Sequence, residues 1–219
     1  MLRTPLARRL KRRNHREVAF AQDVLVGEAY DAYPACVLHG GTAIWRCYGG
    51  SRFSEDLDVY LPGASAAADS RFRQGVLAKG AKELKFRRTG RTLCAKFEIG
   101  GGTVSFEGAL RDPPGREVRG YETLSGGNVM VSVLPPGELL VEKASAYADR
   151  RKVRDLYDVL FLTGAAEADG RARGAVRSLL DGYAPPVDGR ELKALVLTGV
   201  VPTPGEMVEA LERWARKST

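Results

Sequence analysis

The feature that most constrains the fold is a change in hydrophobic spacing at Pro135-Pro136-Gly137. Before it, apolar and polar residues alternate over several short stretches, which is the period of β-strands. Strands are predicted over 36–38, 56–59, 84–88, 92–99, 103–109 and 129–134. Gly100-Gly101-Gly102 separates two of these strands and predicts a hairpin turn, because glycine accepts the positive φ that such turns need.

After residue 137 the apolar residues recur at the spacing of amphipathic helices. Helices are predicted there over 138–148, 153–162, 172–180, 191–197 and 205–217, and earlier over 17–30, 42–48 and 64–79. The fold class that follows is α+β, with a mixed, twisted sheet and flanking helices over residues 1–134. Residues 135–219 are predicted to form a helical C-terminal lobe.

Composition excludes several classes of protein. The 219 residues are 44% apolar and 28% charged, which is typical of a folded chain and not of a disordered one. Apolar runs fall well short of the ~20 residues that a membrane helix needs. The three cysteines are scattered, which argues against a disulfide framework or a structural zinc site and favours a cytoplasmic location.

The formal charge of +7 is concentrated at the N-terminus, where seven basic residues precede the first acid, Glu17. The rest of the chain carries 27 basic and 27 acidic residues. Two interpretations stay open for this basic arm, residues 1–16. It is either a solvated, frayed terminus or a segment that neutralises the phosphates of a nucleic acid.

The densest chemical feature begins at Gly40-Gly41-Thr42, between a predicted strand and a predicted helix. Backbone N–H groups of such a turn can approach phosphate oxygens, and the helix N-terminus adds favourable partial charge. A plain turn explains a Gly-Gly step equally well. Asp56 and Asp58 strengthen the functional interpretation, because carboxylates two residues apart on a strand point to the same side and suit Mg²⁺ or Mn²⁺. Solvated aspartates on an exposed face are the alternative.

The segment from His39 to Asp58, HGGTAIWRCYGGSRFSEDLD, resembles the first motif of the AbiEii-type nucleotidyltransferases. These are toxins of type IV toxin–antitoxin or abortive-infection systems within the DNA polymerase β-like superfamily. The resemblance implies that superfamily's fold, with Asp56 and Asp58 as catalytic metal ligands. It further implies that the nucleotide contacts Gly40, Gly41, Thr42, Ser51 and Arg52.

The resemblance extends more weakly to Glu142-Lys143-Ala144 and to Arg154-Asp155-Leu156-Tyr157-Asp158. Lys143 shares a helix stripe with apolar residues, so it either extends to solvent or meets a buried anion; the resemblance implies a triphosphate. Asp158 is four residues after Arg154 and could form a helical ion pair with it. The resemblance implies instead that Asp158 faces the active site as a base or as a group that orients the acceptor.

A third metal-binding carboxylate is expected on a neighbouring strand. Glu107 lies in the middle of its predicted strand, whereas Glu98 adjoins the glycine turn. Because a ligand is held more rigidly within a sheet than near a flexible tip, Glu107 is favoured over Glu98.

The resemblance therefore implies an enzyme that moves a nucleoside monophosphate from a nucleoside triphosphate to an acceptor hydroxyl. Its active site is expected in the cleft between the two parts of the chain. The acceptor implied is an RNA, the 3′ end of tRNA, and a cognate antitoxin is the implied protein partner. Two alternatives remain: a protein or small-molecule acceptor, and a catalytically silent RNA-binding module. A P-loop ATPase is excluded because GxxxxGK[ST] does not occur.

Overall fold

A computed structural model describes residues 5–167 and 169–216. Within them the helices are α1 (Leu6–Arg9), α2 (Arg13–Ala32), α3 (Gly40–Cys47), α4 (Ala66–Ala78), α5 (Pro136–Arg150), α6 (Val153–Leu162), α7 (Gly170–Asp181), α8 (Leu192–Leu195) and α9 (Pro204–Arg216). The strands are β1 (Val37–His39), β2 (Leu57–Tyr60), β3 (Lys82–Arg88), β4 (Thr92–Ile99), β5 (Gly102–Ala109), β6 (Glu117–Glu122) and β7 (Asn128–Val133). The predicted end of the last helix, Lys217, lies outside the described residues.

The strands form one mixed sheet in the order β3-β4-β5-β2-β1-β7-β6. β2 is parallel to β5 and antiparallel to β1, while β1 is parallel to β7. The α+β class predicted from the sequence is confirmed. β2 lies at the middle of the sheet, so the strand that carries Asp58 is held on both sides.

Buried apolar residues alternate with more exposed ones along β4 and β5, so this part of the sheet has one buried apolar face. β4 presents Phe97 and β5 presents Phe106 to Phe72 of α4, with ring centroids 6.0 and 4.6 Å away. α2 packs on the same two strands. The opposite face of β4 and β5 carries the polar residues of the alternation, and most of them are exposed.

The glycine turn predicted between β4 and β5 is confirmed. Gly100 and Gly101 have φ values of 57° and 85°, the left-handed conformation that a two-residue hairpin turn needs. β6 was not predicted, because it is a short strand at the edge of the sheet with a glycine in its middle.

The basic arm is not a frayed terminus over the part that the structure describes. Leu6 and Leu10 are buried, and the Ala7 N–H donates to the Leu124 carbonyl oxygen at 3.0 Å. Arg9 pairs with Glu122. Arg3, also part of the predicted arm, lies outside the described residues. From Pro5 onward the segment therefore packs on the sheet unit, and its nucleic-acid role stays a prediction.

The contacts divide the chain into two compact units. The first, here called the sheet unit, runs up to Cys47 and resumes over Ser54–Leu134. The second, the helical unit, contains the described residues from Pro135 onward together with Tyr48–Phe53. In the helical unit α5 packs on α6 and α7, and α9 packs on the same two helices. No helix within the described ranges has the length and apolar character to cross a membrane.

Candidate active site

In the sheet unit, Asp58 lies against the first residue of α3. A Cβ built on Gly40 would overlap the Asp58 carboxylate oxygen Oδ2 and would lie 3.0 Å from Asp58 Cγ. Gly40 also has a φ of 71°, which L-residues with a side chain rarely adopt. Two independent features therefore require glycine here. The contact places a carboxylate at the positive end of a helix, where negative charge is favoured.

Thr42 holds the segment that precedes Asp58. Its hydroxyl donates to the Asp56 carbonyl oxygen, and its side chain is fully buried. The hydroxyl is thus used within the protein, whereas the backbone N–H of Thr42 belongs to the first turn of α3, so the predicted nucleotide contact of Thr42 stays a prediction for its backbone. Asp56 and Asp58 themselves are half-buried.

Gln22 of α2 is a further support of this segment that the sequence did not reveal. Its Nε2 donates to the carbonyl oxygens of Ser54 and Glu55 at 2.9 and 3.1 Å, and it lies 3.3 Å from Thr42 Oγ1. Gln22 is fully buried. The one signal in the sequence is a long polar side chain on the apolar stripe of a predicted helix, which indicates a buried hydrogen-bonding partner.

Register distinguishes the two candidates for the third carboxylate. Glu107 pairs directly with Asp58 across β5 and β2, whereas Glu98 pairs with Thr103 beside the hairpin turn. Within residues 5–167 and 169–216, however, no group of three or more histidine, cysteine, aspartate or glutamate side chains is arranged to hold a metal ion. The metal role of Glu107 therefore stays a prediction. Asp56 and Asp58 still fit Mg²⁺, which proteins commonly bind through one or two carboxylates together with substrate phosphates.

In the helical unit, Arg52 and Asp158 form a buried ion pair. Arg52 donates from Nε and Nη2 to the two carboxylate oxygens of Asp158 at 2.9 and 2.7 Å, and from Nη1 to the Phe53 carbonyl oxygen at 2.8 Å. Arg52 is 5% exposed and Asp158 is 1% exposed. The Arg52 guanidinium, which was predicted to contact the nucleotide, is thus bound to a carboxylate of the protein. Asp158 in turn uses Arg52, and not Arg154, as a partner.

Lys143 completes this buried cluster. Its Nζ lies 3.0 Å from Asp158 Oδ2 and 3.3 Å from Asp155 Oδ1, so one ammonium bridges two carboxylates. Asp155 also accepts two hydrogen bonds from Arg150. Of the two sequence interpretations, Lys143 meets a buried anion, but the anion in this structure is carboxylate. Its triphosphate role stays a prediction.

The cluster lowers the pKa of Asp158. Burial by itself would raise this pKa, but the positive charges and hydrogen bonds of Arg52 and Lys143 outweigh it. The same pairing raises the pKa of Arg52 despite its desolvation. Asp158 is therefore held as a carboxylate and is a weaker base than an ordinary aspartate.

The segment Tyr48–Phe53 is fixed to the helical unit by its backbone as well. The Phe53 N–H donates to the Leu195 carbonyl oxygen at 2.9 Å, and the Leu197 N–H donates to the Ser51 carbonyl oxygen at 2.8 Å. Burial raises the pKa of Tyr157 of α6, and the Ser51 side chain acts in the opposite direction. Ser51 and Arg52, adjacent to the metal motif in the sequence, thus belong to the same unit as Lys143 and Asp158.

Comparisons with known proteins identify the family. A family model described as the nucleotidyl transferase AbiEii toxin of type IV toxin–antitoxin systems matches residues 24–203. JHP933 from Helicobacter pylori has a similar fold, with a TM-score of 0.59, 20% identity, and coverage of 90% of this chain and 88% of that one. MenT4, a nucleotidyltransferase toxin from Mycobacterium tuberculosis, gives a TM-score of 0.55 and 19% identity, with coverage of 91% and 88%. No curated protein matches significantly. The chain belongs to the AbiEii family of nucleotidyltransferase toxins.

Proposed function

We propose that this nucleotidyltransferase moves a nucleoside monophosphate from a nucleoside triphosphate to a hydroxyl at the end of an RNA, with the 3′ end of tRNA as the acceptor. The toxin family supplies the reaction class and implies a cognate antitoxin as partner. The observation that carries the proposal is the contact between Asp58 and Gly40 at the start of α3. It joins a carboxylate to a glycine turn of the kind that accommodates phosphate oxygens.

The chemical step is an in-line displacement at the α-phosphorus. The acceptor oxygen forms a new bond to that phosphorus, the bond to the β-phosphate bridging oxygen breaks, and pyrophosphate leaves. The hydroxyl proton passes to solvent or to a base. A divalent cation bound with the nucleotide supplies charge neutralisation at the phosphates.

Residues of the sheet unit bind and orient the triphosphate in this proposal. Asp56 and Asp58 hold the divalent cation, which is Mg²⁺ or Mn²⁺. The backbone N–H groups of Gly41 and Thr42 lie in the first turn of α3, where helix donors have no partner within the helix. We assign them to phosphate oxygens. Gln22 and the Thr42 hydroxyl keep the aspartate segment in place.

Residues of the helical unit are proposed to support the transfer through the buried cluster. Lys143 is the cation assigned to phosphate. Asp158 is assigned as the group that positions Lys143 and Arg52, and not as the proton acceptor. Three observations support this choice: Asp158 is buried, two cations bind it, and its pKa is lowered. Ser51 remains assigned to the nucleotide.

The testing experiment incubates the purified protein with total tRNA and each α-³²P-labelled nucleoside triphosphate in turn, with Mg²⁺ or with EDTA. The proposal expects label to enter RNA in a metal-dependent reaction. Asp56→Asn and Asp58→Asn are expected to lose at least about 10²-fold in kcat, the cost of removing one group that stabilises transition-state charge. Glu55→Gln, which removes the exposed charge of the neighbouring residue, serves as the matched control and keeps its activity.

The outcomes separate the alternatives. Label that enters a protein or a small molecule and leaves RNA unlabelled would replace the acceptor and keep the reaction. Full activity of Asp58→Asn would show that Asp58 does not bind the catalytic metal ion. Wild-type protein that binds RNA without transferring any nucleotide would favour the silent RNA-binding module.

A further inference from the structure

One face of the sheet unit carries three basic side chains close together. Lys85 and Lys96 are directly opposite each other on β3 and β4, and Arg87 follows two residues after Lys85 on the same face. All three are exposed. The residues that alternate with them, Phe86, Ala95 and Phe97, belong to the opposite face. We call Lys85, Arg87 and Lys96 the basic sheet face.

These charges are not neutralised within the part of the chain that the structure describes. Neither a salt bridge nor a side-chain hydrogen bond is formed there by Lys85, Arg87 or Lys96. Other basic residues nearby are paired: Arg73 with Glu83, and Arg88 with Asp69. Like charges directly opposite on neighbouring strands destabilise a sheet, so the Lys85–Lys96 pair has a cost that a bound anion would relieve.

The basic sheet face adjoins the strand pair that carries the proposed metal site. Asp58 pairs with Glu107, Glu107 with Cys94, and Cys94 with Arg87, so these residues form a row across four strands. At about 5 Å per strand, Arg87 lies about 14 Å from Asp58. That distance is the length of a few nucleotides.

We infer that the basic sheet face binds the sugar–phosphate backbone of the acceptor RNA, close to the end that receives the nucleotide. This inference rests on the proposed function and adds to it the path of the acceptor. Arginine and lysine are the usual phosphate ligands of nucleic-acid-binding proteins, and hydroxyl side chains assist them. The same face carries such hydroxyls at Thr92, Thr103 and Ser105, and two acids, Glu98 in β4 and Glu107 in β5. This surface was not predicted from the sequence, because the net charge after residue 16 is zero, although residues 82–91, KELKFRRTGR, hold five basic residues and one acid.

The test removes the three charges and measures binding without catalysis. The variant Lys85→Gln/Arg87→Gln/Lys96→Gln is compared with wild type by the fluorescence anisotropy of a 5′-labelled single-stranded RNA at several salt concentrations and without nucleotide. Losing three phosphate contacts is expected to reduce the slope of log K against log salt by about 2. Between 50 and 200 mM salt, the affinity of wild type then falls about 20-fold more than that of the variant.

The matched control removes three exposed basic residues from elsewhere, as Arg116→Gln/Arg190→Gln/Lys193→Gln. It has the same net charge as the test variant and is expected to keep the wild-type slope. A test variant with the wild-type slope would overturn the inference, and so would an equal loss in the control. Loss of binding to a polyglutamate chain together with unchanged RNA binding would assign the face to an acidic protein.

Steady-state kinetics then connects the surface to the reaction. In the test variant the KM for RNA is expected to rise at least tenfold while the KM for the nucleoside triphosphate is unchanged. Asp58→Asn is expected to bind RNA with the wild-type slope. If the salt slopes of wild type and the test variant differ as expected, yet wild type transfers no nucleotide to RNA, the proposed function fails and the RNA-binding surface stands.

Discussion

Arg52 donates from Nε and Nη2 of its guanidinium to the two carboxylate oxygens of Asp158, although 106 residues separate the two in the sequence. The pair joins the segment Tyr48–Phe53 to α6, and Lys143 of α5 approaches the same carboxylate. This segment, which contains Gly49 and Gly50 and is adjacent to the aspartate motif in the sequence, is thereby fixed to the helical unit.

Asp158→Asn is expected to destabilise the protein by about 3–5 kcal/mol, because it leaves the buried cations Arg52 and Lys143 without their shared carboxylate. The free energy of unfolding is measured by urea titration. Glu212→Gln removes the partner of Arg216 in a surface pair and is expected to cost at most about 1 kcal/mol. Equal losses in the two variants would show that the buried pair contributes no more than an exposed one.

The stability of the helical unit is expected to fall in acid. The pKa of Asp158 is lowered in the folded protein. Its contribution to the free energy of unfolding is therefore fully present at pH values above the pKa of aspartate in the unfolded chain, about 3.9. That contribution is lost as the pH falls through the folded pKa. Thermal unfolding from pH 7 to pH 2 measures this dependence, and Asp158→Asn should flatten it. Asp112→Asn, which removes an exposed carboxylate, should keep the wild-type profile.

Gly40→Ala is expected to abolish most of the activity, because the new methyl group meets the Asp58 carboxylate. Gly80→Ala is the matched control: Gly80 also has a positive φ, 81°, but nothing lies within 4 Å of its added Cβ. Both variants bear the backbone cost of about 1–2 kcal/mol. Only Gly40→Ala should lower kcat. Similar kcat values in the two would show that the close approach of Gly40 and Asp58 has no catalytic consequence.

Gln22→Ala should loosen the segment before β2, since the carbonyl oxygens of Ser54 and Glu55 lose their buried donor. A destabilisation of about 1–3 kcal/mol is expected, together with a lower kcat. Hydrogen exchange at residues 54–56 measures the local effect. Gln74→Ala, at an exposed position on α4, should leave both exchange and activity unchanged. Unchanged exchange in Gln22→Ala would contradict the supporting role of this side chain.

Shortening a buried leucine at the start of the chain should lower the stability of the sheet unit. Leu6 and Leu10 are both 1% exposed, and shortening one buried leucine to alanine typically costs about 2–5 kcal/mol. Leu6→Ala is therefore expected to lower the melting temperature by several degrees. Lys11→Ala, at an exposed position, is the control. An unchanged melting temperature for Leu6→Ala would show that α1 does not contribute to the sheet unit.

The sequence by itself determined most of the helices and strands. Alternation along 92–99 and 103–109 and the glycine turn between them predict β4 and β5, because local hydrophobic period and turn propensity act over a few residues. Gly40-Gly41-Thr42 and Asp56–Asp58 belong to the motif whose resemblance to the AbiEii-type nucleotidyltransferases implied the reaction class, and such a motif can be recognised because its residues are close together in the chain. The edge strand β6 gave too weak a pattern to be predicted.

Only the tertiary structure decided which residues meet. The pairing of Arg52 with Asp158, the support that Gln22 gives to the aspartate segment, and the register of Asp58 with Glu107 all join residues that are distant in the chain. Packing and strand order create these contacts, and no local propensity encodes them. The basic sheet face has the same origin in part: strand pairing placed Lys85 and Arg87, which are close together in the sequence, beside Lys96 of the next strand.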